Sequence, residues 1–345
     1  EPFPSIVPLP VYRDISLTLA KSDYGQHHLP RDVKRIMKNF SKAHPEATRE
    51  ELLKAAWTAT AYTNILDSEE HASDYWVAVM FSDLVREQGW ADSVGVGFLN
   101  PNNDVPTEGI INWRQPDFGV YADGKFYLEG ATRFMPAGEL PSVYQGEKGG
   151  AYTQDRENLL KFKLPKVFTA QTTPSHKSRL SVKGKLRLND DNGIDADYSL
   201  QFSGITKEAT VGLTDVMDWS RDIEDYLGIP EGKRFKSDSY DAVERKKEIE
   251  EAVRKLSDSY LYGADDYNID SFDIAAHGVR PDAPDFKMTI AGRMPETVGN
   301  VGNDLIVSIG RFHGKAQPLS GTDRNRQTEL LDDRTMIING DGRDM

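Results

Sequence analysis

Ala72-Ser73-Asp74-Tyr75-Trp76-Val77-Ala78-Val79-Met80-Phe81 is the stretch on which the fold turns. Val77, Met80, Phe81, Leu84 and Val85 recur at helical spacing on one face, and Gly89 stands where a helix C-cap belongs. The pattern predicts a helix opening at Asp74. Upstream, Val33, Ile36, Met37 and Phe40 form one apolar stripe, which Pro45 ends. Thr48 and Glu51 have capping-box spacing and open a further helix through Leu52, Leu53, Ala56 and Trp57. Downstream the period falls to two. Ser93 to Leu99 reads as a strand and Asn100 to Pro106 as a turn-rich loop. Phe118 to Ala122 and Lys125 to Leu128 flank Asp123-Gly124, a type I′ hairpin signal. Residues 31–150 are therefore expected to be helices on a small antiparallel sheet.

The remaining chain has a different texture. Residues 1–30 are proline-rich and read as an extended arm; 151–178 are polar and weakly patterned, as a linker would be. From 179 to 345 strands dominate. Leu180 to Leu188 alternates apolar and charged positions, Asp190-Asp191-Asn192-Gly193 turns the chain, and Ile194 to Phe202 returns it. Further strands are expected at Ile269–Ile274, Phe286–Ile290, Leu305–Ile309 and Arg334–Ile338. One charged helix, about Tyr240 to Leu256, carries Val243, Ile249, Val253 and Leu256. This half is expected to be a β-sandwich with one helical insertion, making the whole chain α+β.

Composition narrows function. A chain of 345 residues suggests two domains, and 38% hydrophobic residues are enough to build cores. A net charge of −13 argues against general nucleic-acid binding, which needs clustered cations, and against docking on anionic lipid. No apolar run reaches membrane-spanning length. The absence of cysteine excludes disulfides, thiolate metal sites and a thiol nucleophile. The chain opens Glu1-Pro2-Phe3-Pro4 without a signal-peptide core, which reads as a processed sequence.

Three segments carry a family resemblance. Ala72 to Gly89 looks like a Gly-x-Cys-x-Asp-Lys-Ala helix ending in glycine. Asp117 to Thr132 looks like a His-bearing strand, an Asp-Gly-Lys turn and a Leu-Asp-Pro-Thr strand. Arg133-Phe134-Met135-Pro136-Ala137-Gly138-Glu139-Leu140-Pro141 resembles the proline-glycine segment that follows. In this order they resemble bacterial transglutaminase-like proteins, whose papain-like core is flanked by β-rich domains of unknown function. The stretch Asp323 to Leu331 fits the C-terminal β-domain of such proteins, and their N-terminal β-domain is expected to lie before Glu1. The resemblance implies a cleft with nucleophile, base and orienting acid, and an extracytoplasmic setting in the periplasm or at the cell surface. Laid on this chain, the cysteine position falls on Asp74 beside Ser73, the histidine near Gln115, and the aspartate on Glu129. No histidine lies between His71 and His176. The frame is expected to persist without its chemistry.

Each candidate has a plain structural reading beside the functional one. Asp74 at a helix start is expected to cap backbone N–H groups; the alternative pairs it with Glu129 as acid and base of a glycoside hydrolase, with Asp117 as a third carboxylate. Tyr75, Trp76, Trp90, Trp113 and Tyr121 are expected as core, or collectively as a stacking platform. His27-His28 lacks spaced partners for a metal. Tyr260, Tyr262 and Tyr267 with Asp265 and Asp266 match no calcium loop, and Gly95-Val96-Gly97 lacks a dinucleotide-binding context. No cofactor and no metal is expected. The ligand-lining set is Ser73, Asp74, Trp76, Trp113, Gln115, Asp117 and Glu129. The expected role is a catalytically inactive protein that binds a glycan, a peptide or a neighbouring protein domain.

Overall fold

Helix α1 (Leu29–Ala43) buries Leu29, Val33, Met37 and Phe40 on the stripe its sequence spells out. Helix α2 (Arg49–Leu66) is different. Its stretch from Ala55 to Tyr62 is buried on every side, because alanine and threonine let neighbours approach from all directions. Its start is fixed as the capping box predicts: Glu51 Oε2 accepts from the Thr48 backbone N–H at 2.8 Å, and the Glu51 N–H donates to Thr48 Oγ1 at 3.3 Å. Glu50 in the same turn receives Lys125 at 2.6 Å and Lys54 at 2.9 Å, and these bonds hold its carboxyl at about 2. Helix α3 (Asp74–Gln88) also buries most of its surface and ends at Gly89, whose φ of 68° only glycine adopts without strain.

The computed structural model describes residues 6–8, 29–66, 74–99, 110–112, 117–152, 166–189, 193–236, 242–261, 267–294, 298–301, 304–307 and 336–338. It falls into two compact units: 1–173 with 216–236 and 279–282, and 174–215 with 237–278 and 283–345. Of the arm expected over residues 1–30, only β1 (Ile6–Pro8) and the first two residues of α1 are described; β1 pairs antiparallel with β3 (Ile110–Asn112).

The first unit holds an antiparallel five-stranded sheet in the order β5-β4-β2-β6-β7. Its strands are β2 (Val94–Leu99), β4 (Asp117–Ala122), β5 (Lys125–Tyr127), β6 (Lys148–Tyr152) and β7 (Lys166–Thr169). The expected hairpin is present. Asp123 and Gly124 have φ of 44° and 88°, as a type I′ turn demands. The Asp123 carboxylate accepts the backbone N–H groups of Asp92 at 3.0 Å and Ser93 at 2.8 Å.

Alternation along β2 sorts two cores. Val94, Val96 and Phe98 face the helices, while Leu99, Tyr121, Phe126, Leu140 and Phe168 form a second cluster. The Gly95-Val96-Gly97 motif serves this packing: a Cβ at Gly97 would meet the Phe126 ring at 2.9 Å. The stretch read as a linker over 151–178 contains β7, the edge strand of this sheet. Its polar surface reflects that position, since three of the four residues of β7 are exposed.

A helix not anticipated from the sequence, α4 (Val216–Leu227), belongs to the first unit. Trp219, Ile223 and Leu227 enter the helical core, and the Trp219 indole N–H donates to the Thr132 carbonyl at 2.7 Å. Glu224, buried, accepts from the Tyr62 hydroxyl at 2.7 Å and from the Phe235 N–H at 2.6 Å.

The second unit is built on a sheet in the order β10-β11-β9-β8-β14. Its strands are β8 (Leu180–Leu188), β9 (Ile194–Phe202), β10 (Asn268–His277), β11 (Phe286–Met294) and β14 (Met336–Ile338), the last pairing parallel with β8. Strands β12 (Val298–Val301) and β13 (Asp304–Val307) form a separate pair. Every strand expected in this half is present. Helix α5 (Ala242–Tyr260) and the 3-10 segment Gly204–Leu213 contribute Val253, Leu256 and Leu213 to the core under β9 and β11. The α+β class is therefore observed. Among the described residues it is helical structure, rather than the facing sheet of a sandwich, that supplies the other side of this core.

Gly119 tests the packing between sheet and hairpin. A Cβ there would collide with the Tyr127 carbonyl oxygen and come within 2.7 Å of Phe126 Cζ. Gly119→Ala is expected to lower stability by about 1–3 kcal/mol, the usual cost of overpacking. Urea unfolding checks this; an unchanged midpoint contradicts it.

Candidate functional site

Strand β5 runs through Leu128 into Glu129, which heads the 3-10 turn Gly130–Arg133. The Glu129 carbonyl accepts both the Thr132 N–H at 3.0 Å and the Thr132 hydroxyl at 2.7 Å, so the backbone there is held from two sides. The side chain is only 5% exposed. On α2 the amide of Asn64 reaches it, Nδ2 donating to Glu129 Oε1 at 2.9 Å. Burial pushes the Glu129 carboxyl up to about 8; the Asn64 hydrogen bond opposes this, the charge of Asp74 adds to it, and Arg133 opposes it weakly. At neutral pH the group therefore mainly holds its proton.

Asp74, the first residue of α3, is exposed. An acid there suits the helix dipole, as its plain reading requires. Its field reaches two other groups, raising Glu129 and contributing to the rise at Tyr144. Asp117 opens β4 and is half-buried; its Oδ2 accepts the Tyr144 hydroxyl at 2.8 Å. Tyr144 is held protonated first by burial, then by the bond to Asp117 and its charge, then by Asp74. Asp74 at the head of α3 thus lies within electrostatic reach of two bonded pairs, Glu129 with Asn64 and Asp117 with Tyr144.

The candidate residues divide accordingly. Asp74 acts electrostatically on Glu129 and on Tyr144, and Tyr144 is bonded to Asp117. Ser73, Trp113 and Gln115 lie outside the described residues. Trp76 is buried in the helical core, where it meets Tyr75 edge-on at 6.4 Å; Tyr75 in turn packs edge-on against Phe118 at 5.0 Å. Trp90 lies in that same core, whereas Tyr121 belongs to the second cluster, 4.5 Å from Phe168. Among the described residues these aromatics are packing, and they do not make one platform. Tyr267 is likewise core, its hydroxyl donating to the Ala196 carbonyl at 3.0 Å; residues 262–266 of the acidic aromatic patch are outside the described set. His27 and His28 are outside it too. No group of three or more metal-ligating side chains occurs among the described residues.

Sequence reasoning missed Asn64 and Tyr144. A lone amide in the Ala-Thr run of α2 was the available signal for Asn64. Nothing local marks Tyr144, which reaches Asp117 across 27 residues.

Chemically, the neighbourhood offers one neutral carboxyl turned toward the interior, two further carboxyl groups and a phenol. It can accept hydrogen bonds from amides or hydroxyls. No thiol is present to attack a carbonyl. Comparison with protein-family models, with curated proteins and with solved structures finds no match to this chain.

The charge state of Glu129 has a stability signature. Its folded value lies above the ordinary 4.5, so the stabilisation it gives is full below that value and is lost as pH rises through about 8. Glu129→Gln keeps an acceptor for Asn64 and cannot ionise. Relative to that variant, the native protein should lose unfolding free energy as pH climbs across this window. Denaturant midpoints measured against pH decide it; parallel profiles would contradict it.

Proposed function

We propose that this chain is a transglutaminase-like protein that has lost its acyl-transfer machinery and works as a binding or scaffolding component of the bacterial cell envelope, with a glycan or peptide as ligand. The first unit is read as the papain-like core. The order of helix head, strand head and hairpin end, carrying Asp74, Asp117 and Glu129 in turn, supports that reading. The second unit is read as the β-rich partner domain of such proteins. No helix among the described residues is long and apolar enough to cross a membrane.

The observation that carries the loss of catalysis is the buried Glu129–Asn64 bond. An orienting acid must be ionised and must face an imidazole, so that it fixes the tautomer and steadies the imidazolium. Glu129 is instead neutral and bonded to an amide. At the head of α3, where dipole and backbone N–H groups would activate a thiol, stands a carboxylate. Such a group does not perform thiol acyl transfer.

One observation favours a second reading, a carboxylate-based hydrolase. Glu129 holds a proton while Asp74 lies within its electrostatic reach, and carboxyl pairs of unlike protonation state run glycoside hydrolysis. Against it, Glu129 is 5% exposed and bonded to Asn64.

Turnover assays with glutamine-donor substrates, peptides and oligosaccharides are expected to be blank. Hydrolysis or crosslinking abolished by Asp74→Ala or Glu129→Gln in a folded variant overturns the binding proposal, and hydrolysis of an oligosaccharide lost in this way supports the hydrolase.

A further inference from the structure

The outward face of the second unit's sheet carries a trough of about 470 Å³ across β8, β9, β11 and β10. Strand register sets what lies along it. Lys183 pairs with Ser199, Ser199 with Thr289, and Thr289 with Asp273, so one straight row reads cation, hydroxyl, hydroxyl, carboxylate. All four side chains are exposed. Some neighbouring charges on these strands are answered within the protein: Arg293 holds Asp270 at 3.1 Å, and Arg187 approaches Asp197 at 4.0 Å; Lys287, two residues from Thr289 on the same face, stands beside the row as a further exposed cation. Among the described residues the side chains of Lys183 and Asp273 make no hydrogen bond or ion pair. The row is left with opposite charges at its two ends and hydrogen-bonding groups between.

We propose that this row binds a short zwitterionic peptide laid across the strands, its amino end at Asp273 and its carboxylate at Lys183. Three strand-to-strand steps of about 4.8 Å separate the charged positions by about 14 Å, which is the length of about four extended residues at about 3.4 Å each. Ser199 and Thr289 stand under the middle, where hydroxyls can serve as both donors and acceptors to peptide amides. A sugar is the poorer fit. The Tyr198 ring is buried in the core on the opposite face and Phe272 packs against that core, so no aromatic ring lies along this row for a pyranose to stack on. The site lies within the second unit, and it stands or falls independently of the carboxyl groups around Glu129.

Isothermal titration of the full chain with tetra-alanine bearing free termini tests the proposal. Saturable binding is expected, weakened at least tenfold by Lys183→Ala, by Asp273→Ala, and by acetylating and amidating the peptide ends. These substitutions lie on exposed positions, and circular dichroism verifies that the variants fold. Cellotetraose serves as the comparison ligand. Absence of saturable heat with the free peptide, affinity indifferent to both substitutions or to blocked termini, or binding of cellotetraose in preference to the peptide overturns the assignment.

Discussion

The hydrogen bond from Asn64 to Glu129 joins the most enclosed helix of the first unit to the end of its hairpin. Both partners are almost wholly buried, and a carboxyl in that position is cheaper neutral than ionised. The proton it keeps decides what the neighbourhood can do. An ionised acid would hold a cation or a base; a protonated one is a neutral polar plug. The same turn supplies the Thr132 carbonyl that receives Trp219, so the packing of α4 and the charge state of Glu129 meet within four residues.

That link explains why the first unit is discontinuous in sequence. Helices α1 to α3 cover one face of the sheet, and the loops around Leu128 to Leu140 cover the other. The helical core is finished only by Trp219, Ile223 and Leu227, which arrive after the chain has already built the first hairpin of the second unit. Truncation near residue 150 would strip Trp219 from Tyr62, 6.2 Å away, and Tyr226 from Phe40, 5.4 Å away. Local elements can form early here, but the unit closes through a long-range return.

Much of this was legible in the sequence, and the legible parts share a cause. Signals that act within a few residues were faithful: the Thr48–Glu51 box, the Asp123-Gly124 turn, the stripe of α1 and the alternation of β8 and β9. Signals that depend on partners far along the chain were not. The edge strand β7 carries too little apolar surface to announce itself, and it read as linker. Helix α4 has Trp219, Ile223 and Leu227 at four-residue spacing, a local signal that the sequence does carry. The second unit's strands were anticipated in place, but not the helical cover of its core, because alternation reveals which face is buried and not what buries it. At the site, Asp74, Asp117 and Glu129 come from a family resemblance, and Asp74 acts electrostatically on Glu129 and on the Tyr144 that bonds Asp117. Asn64 and Tyr144, which set the electrostatics, were invisible because hydrogen-bond partners across 65 and 27 residues leave no local trace.

The most direct measurement is the titration of the Glu129 side-chain carboxyl carbon by NMR in the intact chain. A midpoint near 8, with the proton retained at neutral pH, is the predicted result and fits the proposal that Glu129 is a neutral group bonded to Asn64 and orients no base. A midpoint near the ordinary 4.5 would mean an ionised, solvent-reachable carboxylate, and the account of a disarmed site would be contradicted.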